Sequence, residues 1–134
     1  IELGISDRFH AFGEQPRDRV LQAYREADIF FSPAAVEAFP IVTLEAMAAG
    51  LPSVVSDGPG NRDVVIDGET GVVAPVGDTN LLADGLVYLA SDEQRRRDFG
   101  LEALRVIRRY AWPRVADEYV NAFATVTDTG ADGV

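Results

Sequence analysis

Two glutamates, Glu37 and Glu45, frame the run Ala38-Phe39-Pro40-Ile41-Val42-Thr43-Leu44. Ahead of them Ala27-Asp28-Ile29-Phe30-Phe31-Ser32-Pro33 reads as a strand. Behind them Ala46-Met47-Ala48-Ala49-Gly50-Leu51-Pro52 reads as a helix that stops at a glycine. A loop that opens a helix at the end of a parallel strand is a ready anion site. With Pro40 as the first helical residue, the backbone N–H groups of Ile41, Val42 and Thr43 have no partner inside the helix. The helix start adds about half a positive charge, so the ligand it suits is a phosphate or diphosphate. Glu45 follows about 8 Å further along the axis, an offset that puts its carboxylate on a ribose while a diphosphate rests at the helix start. Glu37, before the helix, faces the other end of such a ligand, where a sugar would sit. Spacing alone leaves the plain reading open: Glu45 as a solvated helix residue, Glu37 as an acid stabilised by the helix start.

The elements that must position this pair alternate. Arg8 to Phe12 alternates like a short strand, and Gly13 ends it. Pro16 opens a helix to about Ala27, with Val20, Leu21 and Tyr24 on its apolar side. Asp28–Ser32 is apolar at Ile29, Phe30 and Phe31, which fits a strand buried on both faces. The helix from Pro40 reaches Ala49, with Gly50 and Pro52 as stop signals. Ser53–Ser56 and Gly71–Pro75 read as further strands, with the breaker-rich turn Asp57-Gly58-Pro59-Gly60-Asn61 and a short helix from Arg62 to Ile66 between them. Asp78 is the N-cap of a helix over Thr79–Ala90, with Leu82, Leu86 and Leu89 inward. A helix from Asp92 to Arg109 follows, and a last one starts at Trp112-Pro113 with Ala116, Tyr119, Val120 and Phe123 on its buried side. Residues 1–126 form the folded unit, and 127–134 are a loose tail. Four strands alternating with about six helices predict an α/β, Rossmann-like parallel sheet with flanking helices.

Composition narrows the chemistry. The chain of 134 residues holds no cysteine and one histidine, His10, so a thiolate nucleophile, a disulfide framework and a cysteine or histidine metal cluster are excluded. The net charge of −10 argues against nucleic acid or an anionic membrane as partner. Every basic residue is Arg, and Asp outnumbers Glu by 13 to 9, a bias that suits a GC-rich genome. No apolar run reaches the ~20 residues of a membrane span.

The string from Ala27 to Val55 resembles the C-terminal domain of glycosyltransferases of GT-B architecture, most closely the retaining family 4 type, marked by Glu, seven residues, Glu. The resemblance continues through Asp67-Gly68-Glu69-Thr70-Gly71-Val72-Val73, Asp78 and the helix start Tyr110-Ala111-Trp112, and covers the chain to about Phe123. It implies a nucleotide-diphosphate-sugar donor (UDP-, GDP- or ADP-sugar), no metal and no other cofactor. The acceptor is a glycan, lipid or small molecule, as in glycan or cell-envelope biosynthesis. By the same resemblance Glu45 binds the ribose hydroxyls and Glu37 the donor-sugar hydroxyls. Phe39, Pro40, Ile41 and Val42 meet the sugar and diphosphate. Many relatives carry Gly where this chain has Pro40. The family's phosphate-neutralising Arg and Lys, and its N-terminal acceptor domain, fall upstream of the segment matched by Ile1. The chain is therefore expected to be the later part of a C-terminal domain, acting with the N-terminal domain of the same protein, in the cytoplasm or at a membrane through that domain.

Other residues weigh less. His10 suits a structural place in or beside a strand. Asp57, Asp63 and Asp67, set among Gly and Pro, suit turns and caps rather than a metal. Arg95-Arg96-Arg97 reads as a solvated helix face, and Trp112 and Tyr119 as core. Two rival readings stand beside the transferase: a GT-B sugar-nucleotide epimerase, and a non-catalytic nucleotide-sugar-binding or interaction module.

Overall fold

A computed structural model describes residues 4–128 of the chain. Three short parallel strands form its sheet: β1 (Phe30–Ser32), β2 (Ser53–Ser56) and β3 (Gly71–Ala74), in the order β1-β2-β3. Phe31 pairs with Val54, and Val54 with Val72. Helix α1 (Arg17–Glu26) precedes β1; α2 (Ile41–Ala48) connects β1 to β2; α3 (Asn61–Val64) lies between β2 and β3. After the sheet come α4 (Thr79–Ala90), α5 (Glu93–Val106), a 3₁₀ turn (Ile107–Tyr110) and α6 (Trp112–Asp128).

Neighbouring strand residues point to opposite faces, and β2 divides the core this way. Val55 packs with Met47, Val64, Val65, Ala103 and Val106 on one face. Val54 packs with Ala74, Leu82 and Leu89 on the other. β2 is buried at all four positions because it is the central strand. Glycines let the layers approach. A Cβ on Gly85 of α4 would stand 3.0 Å from Val72 of β3, and one on Gly100 of α5 only 2.2 Å from the Gly50 carbonyl oxygen.

Helix ends follow their chemistry. Asp78 Oδ1 accepts the Leu81 N–H at 3.0 Å, and Asp92 Oδ1 the Arg95 N–H at 3.0 Å. At the end of α2, Gly50 has φ +79 and donates to the Met47 carbonyl, while Leu51 N–H reaches back to the Ala46 carbonyl. That is a Schellman stop, as expected of Gly50.

Several expectations are corrected. Residues 8–12 form no strand: Phe9 and Phe12 are exposed, and the segment has no ladder partner among the described residues, without which alternation alone makes no sheet. The sheet among the described residues therefore has three strands, not four. β1 is shorter than Asp28–Ser32 and half-buried, with Phe31 open, because it lies at the sheet edge. The face of α6 expected to be buried is open: Trp112 is 82 % exposed and Phe123 67 %. Trp112 and Tyr119 are thus not core: each keeps most of its surface open, Trp112 on the wall of a groove and Tyr119 beside Phe123 of its own helix. Of the expected tail, residues 127 and 128 close α6, and 129–134, like residues 1–3, lie outside the described residues. No described helix is long and apolar enough to cross a membrane.

Candidate functional site

α2 begins differently from the expectation. Pro40 is not its first helical residue but the residue before it, with φ −83 and ψ +65. Those angles are an inverse γ-turn, and the Ile41 N–H closes it by donating to the Phe39 carbonyl at 2.9 Å. Leu44 N–H then donates to the Pro40 carbonyl. One of the three N–H groups expected to be open is thus consumed. A second, on Thr43, belongs to a residue with no exposed surface. The Val42 N–H remains at an exposed residue with no protein partner among the described residues.

Glu45 lies one turn deeper and is only 21 % exposed. It is not a freely solvated helix residue. Arg17, the first residue of α1, places Nη1 2.9 Å from Glu45 Oε1. Tyr24, also on α1, donates its hydroxyl to the Val42 carbonyl at 3.3 Å. Burial, and next the Glu45 carboxylate, raise the Tyr24 phenol above its ordinary pKa, since each disfavours phenolate. On its other side Glu45 lines a groove of about 430 Å³, shared with Phe39, Ile41, Leu44 and Trp112. Three of the six expected site residues, Phe39, Ile41 and Glu45, therefore meet in one groove. Pro40 is buried, and Pro40, Val42 and Glu37 are not among its walls.

Glu37 is held by its backbone. Its N–H donates to the Pro59 carbonyl at 3.2 Å, and Ser56 Oγ donates to the Ala34 carbonyl. These bonds press the loop 33–37 onto the turn 57–60 so closely that only glycines fit. A Cβ on Gly58 would lie 2.5 Å from the Ala35 carbonyl oxygen, and one on Gly60 2.1 Å from that of Glu37. Gly60 also has φ +92, which side chains disfavour. Behind this contact the buried Thr43 hydroxyl donates to Asn61 Oδ1 at 2.9 Å, tying α2 to α3.

Arg17, Tyr24, Ser56, Gly58 and Gly60 carry no individual mark in the sequence. The glycines read as turn breakers in a loop that the family resemblance sets facing the cleft, and nothing local announces a pairing across 28 residues.

Asp57, Asp63 and Asp67 each accept a backbone N–H, from Val76, Gly60 and Val73 respectively, as turn and cap roles require. Among the described residues no group of three or more His, Asp or Glu is placed to hold a metal. His10 lies exposed outside any strand, not in or beside one. Of the three arginines expected on a solvated face, only Arg97 fits. Arg95 and Arg96 turn back to bond the carbonyls of Tyr88, Leu89 and Ala90. There they meet the negative end of α4, and Arg95 also lies over the Tyr88 ring, 3.7 Å from its centre.

Comparison with known proteins agrees with this architecture. The profile of the family described as Glycosyl transferases group 1 matches residues 1–105. The chain is 36% identical over 129 residues to a phosphatidyl-myo-inositol mannosyltransferase of Mycobacterium leprae, covering 96% of this chain and 34% of that protein. It is 32% identical over 133 residues to a D-inositol 3-phosphate glycosyltransferase of Corynebacterium efficiens, covering 99% of this chain and 31% of that protein. The fold superposes with TM-score 0.85 on sucrose-phosphate synthase from Thermosynechococcus elongatus, at 26% identity over 96% of this chain and 32% of that one. TarM shares the fold at TM-score 0.76 and 20% identity, over 90% of this chain and 25% of its own. The chain thus spans about a third or less of the length of these relatives. With its parallel sheet, its flanking helices and a family match over most of its length, the chain belongs to the glycosyl transferases group 1 family and forms part of a GT-B fold.

Proposed function

We propose that this chain binds the nucleotide-diphosphate-sugar donor of a retaining, metal-independent glycosyltransferase. Glu45 accepts hydrogen bonds from the ribose hydroxyls, and Glu37 from hydroxyls of the donor sugar. The start of α2, through the Val42 N–H and the helix dipole, faces the diphosphate. Phe39 and Ile41 form the wall beside it, and the buried Pro40 sets the turn between them. As the glycosidic bond to the diphosphate breaks, negative charge grows on the leaving oxygen, and preorganised dipoles aimed there lower the barrier. The observation that carries this reading is Glu45: a carboxylate one turn inside the helix that follows β1, half-sheltered at the head of a groove rather than spent in the core.

The acceptor is a glycan, lipid or small molecule, bound by the remainder of the protein. The names of the two bacterial relatives favour an inositol-bearing acceptor among these. Because the chain spans about a third of those relatives, it is expected to turn over no sugar nucleotide by itself.

Calorimetric titration of the protein at its full natural length with UDP, GDP and ADP tests the reading. One of the three is expected to bind. Glu45→Ala is expected to weaken it by about 10- to 100-fold, since hydrogen bonds to a charged group contribute about 1.5–3 kcal/mol. Absence of binding by all three would defeat the proposal.

A further inference from the structure

Helix α1 buries none of its residues, yet two of its side chains reach Val42 and Glu45 of α2. Its visible ties are few: the Tyr24 hydroxyl on the Val42 carbonyl, the Tyr24 ring 6.2 Å from that of Phe30, and Arg17 on Glu45. Arg17 is 74 % exposed, so it is not needed to fill space. It nevertheless reaches Glu45, the carboxylate that the proposed function sets on the ribose.

We infer that Arg17 is a positioning residue for the nucleotide ribose, acting through Glu45. The inference rests on the ribose role proposed for Glu45. A carboxylate has about four lone-pair directions, and Arg17 occupies one of them, on Oε1. Room remains for the two hydroxyls of a vicinal diol. The ion pair therefore does not block the ribose; it fixes the Glu45 side chain before the ribose arrives, which spares part of the ordering cost of binding. An exposed ion pair contributes at most about 1 kcal/mol, which sets the scale of the effect at about three- to fivefold in affinity.

The test uses the protein at full natural length and whichever of UDP, GDP and ADP binds most tightly, alongside its 2′,3′-dideoxy analogue. Arg17→Ala is expected to weaken the ribonucleotide about three- to fivefold and to leave the dideoxy analogue unchanged. In a Glu45→Ala background, Arg17→Ala is expected to change neither. Arg17→Lys, which keeps a point charge but not the guanidinium geometry, is expected to restore part of the loss. A merely structural role for Arg17 would lower the melting temperature without altering the ratio of ribo to dideoxy affinities. Three outcomes overturn the inference alone: equal weakening of both ligands, no weakening, or tighter binding in Arg17→Ala. If Glu45→Ala leaves the ribo-to-dideoxy ratio intact, or no ribonucleotide binds, the ribose reading itself falls and the inference with it.

Discussion

Replacing Gly60 by alanine perturbs Glu37 without touching its side chain. Gly60 adopts φ +92 and ψ −63, a conformation that costs a residue with a Cβ about 1–3 kcal/mol. The added Cβ would also stand 2.1 Å from the Glu37 carbonyl oxygen, where Cβ atoms essentially never come under 3.0 Å. The two loops must therefore separate by about 1 Å in a region packed like a crystal. Strain and displacement together predict a loss of about 2–4 kcal/mol. At roughly 3–5 °C per kcal/mol for a domain of this size, the melting temperature falls by about 10 °C. Gly77 supplies the control. Its φ is +84, but a Cβ there meets nothing within 4 Å, so Gly77→Ala carries backbone strain alone, about 1–2 kcal/mol. Calorimetry separates the site effect from the stability effect. Because Gly60 bears on Glu37 and not on Glu45, Gly60→Ala is expected to weaken the sugar nucleotide more than the nucleoside diphosphate. If Gly60→Ala matches Gly77→Ala in melting temperature, and shifts both ligands equally, the idea that these glycines position Glu37 is wrong.

Three further substitutions test the frame around the site. Asp78→Ala removes the cap on Leu81 and is expected to cost about 1 kcal/mol by thermal melting with no change in nucleotide affinity. Tyr24→Phe deletes the hydrogen bond to the Val42 carbonyl, and a loss of about 0.5–1 kcal/mol is expected; a neutral result would show that the 3.3 Å contact contributes nothing. Asp92 is held below the ordinary carboxylate range, first by the Arg95 backbone N–H and then by the Arg95 charge. A depressed pKa contributes stability that is present above about pH 4 and is lost as pH falls through the folded value. Asp92→Asn keeps an oxygen to cap α5 but no charge, so its melting temperature should fall less steeply in acid than that of the parent. The slope that remains includes Glu102, lowered likewise by its hydrogen bonds from Arg105. Identical acid slopes in parent and variant would exclude Asp92 as a contributor.

The parts of the fold legible in the sequence were those fixed locally. Asp78 before an apolar helix pattern, and Gly50-Leu51-Pro52 after another, specify their helix ends through backbone chemistry that needs no distant partner. Ser53-Val54-Val55-Ser56, between Pro52 and a breaker-rich turn, read as a strand, and the structure makes it one. Expectations failed where a distant segment decides the outcome. Arg8–Phe12 alternates like a strand, but only a neighbouring strand can make it one. Val120 and Phe123 have helical spacing, but spacing does not say whether anything covers the face. At the site, the sequence marked Glu37 and Glu45 and missed their supports. Pro40 has a φ acceptable in a helix, and only its ψ of +65 shows that it closes a γ-turn and takes the Ile41 N–H out of use.

The two glutamates are held by different physics, and that difference bears on how the site can vary. Glu45 rides on α2, whose Ala46 and Met47 are buried in the core and whose end is fixed by the Gly50 stop against Gly100. Moving it requires moving a helix, so its carboxylate suits the part of a donor that is constant, the ribose. Glu37 hangs on a loop fixed through main-chain atoms at Ala34, Ala35 and Glu37 itself. No side-chain hydrogen bond or ion pair of Glu37 is present among the described residues. Its carboxylate is therefore free to turn, while its Cα stays where the glycines put it. That arrangement suits the variable part of a donor, a sugar whose hydroxyls differ in orientation from one hexose to the next. It follows that Glu37→Gln should change discrimination between epimeric sugar nucleotides more than affinity for the nucleoside diphosphate, and competition titrations with paired epimers would show it. An equal loss for all ligands would place Glu37 on the common diphosphate instead.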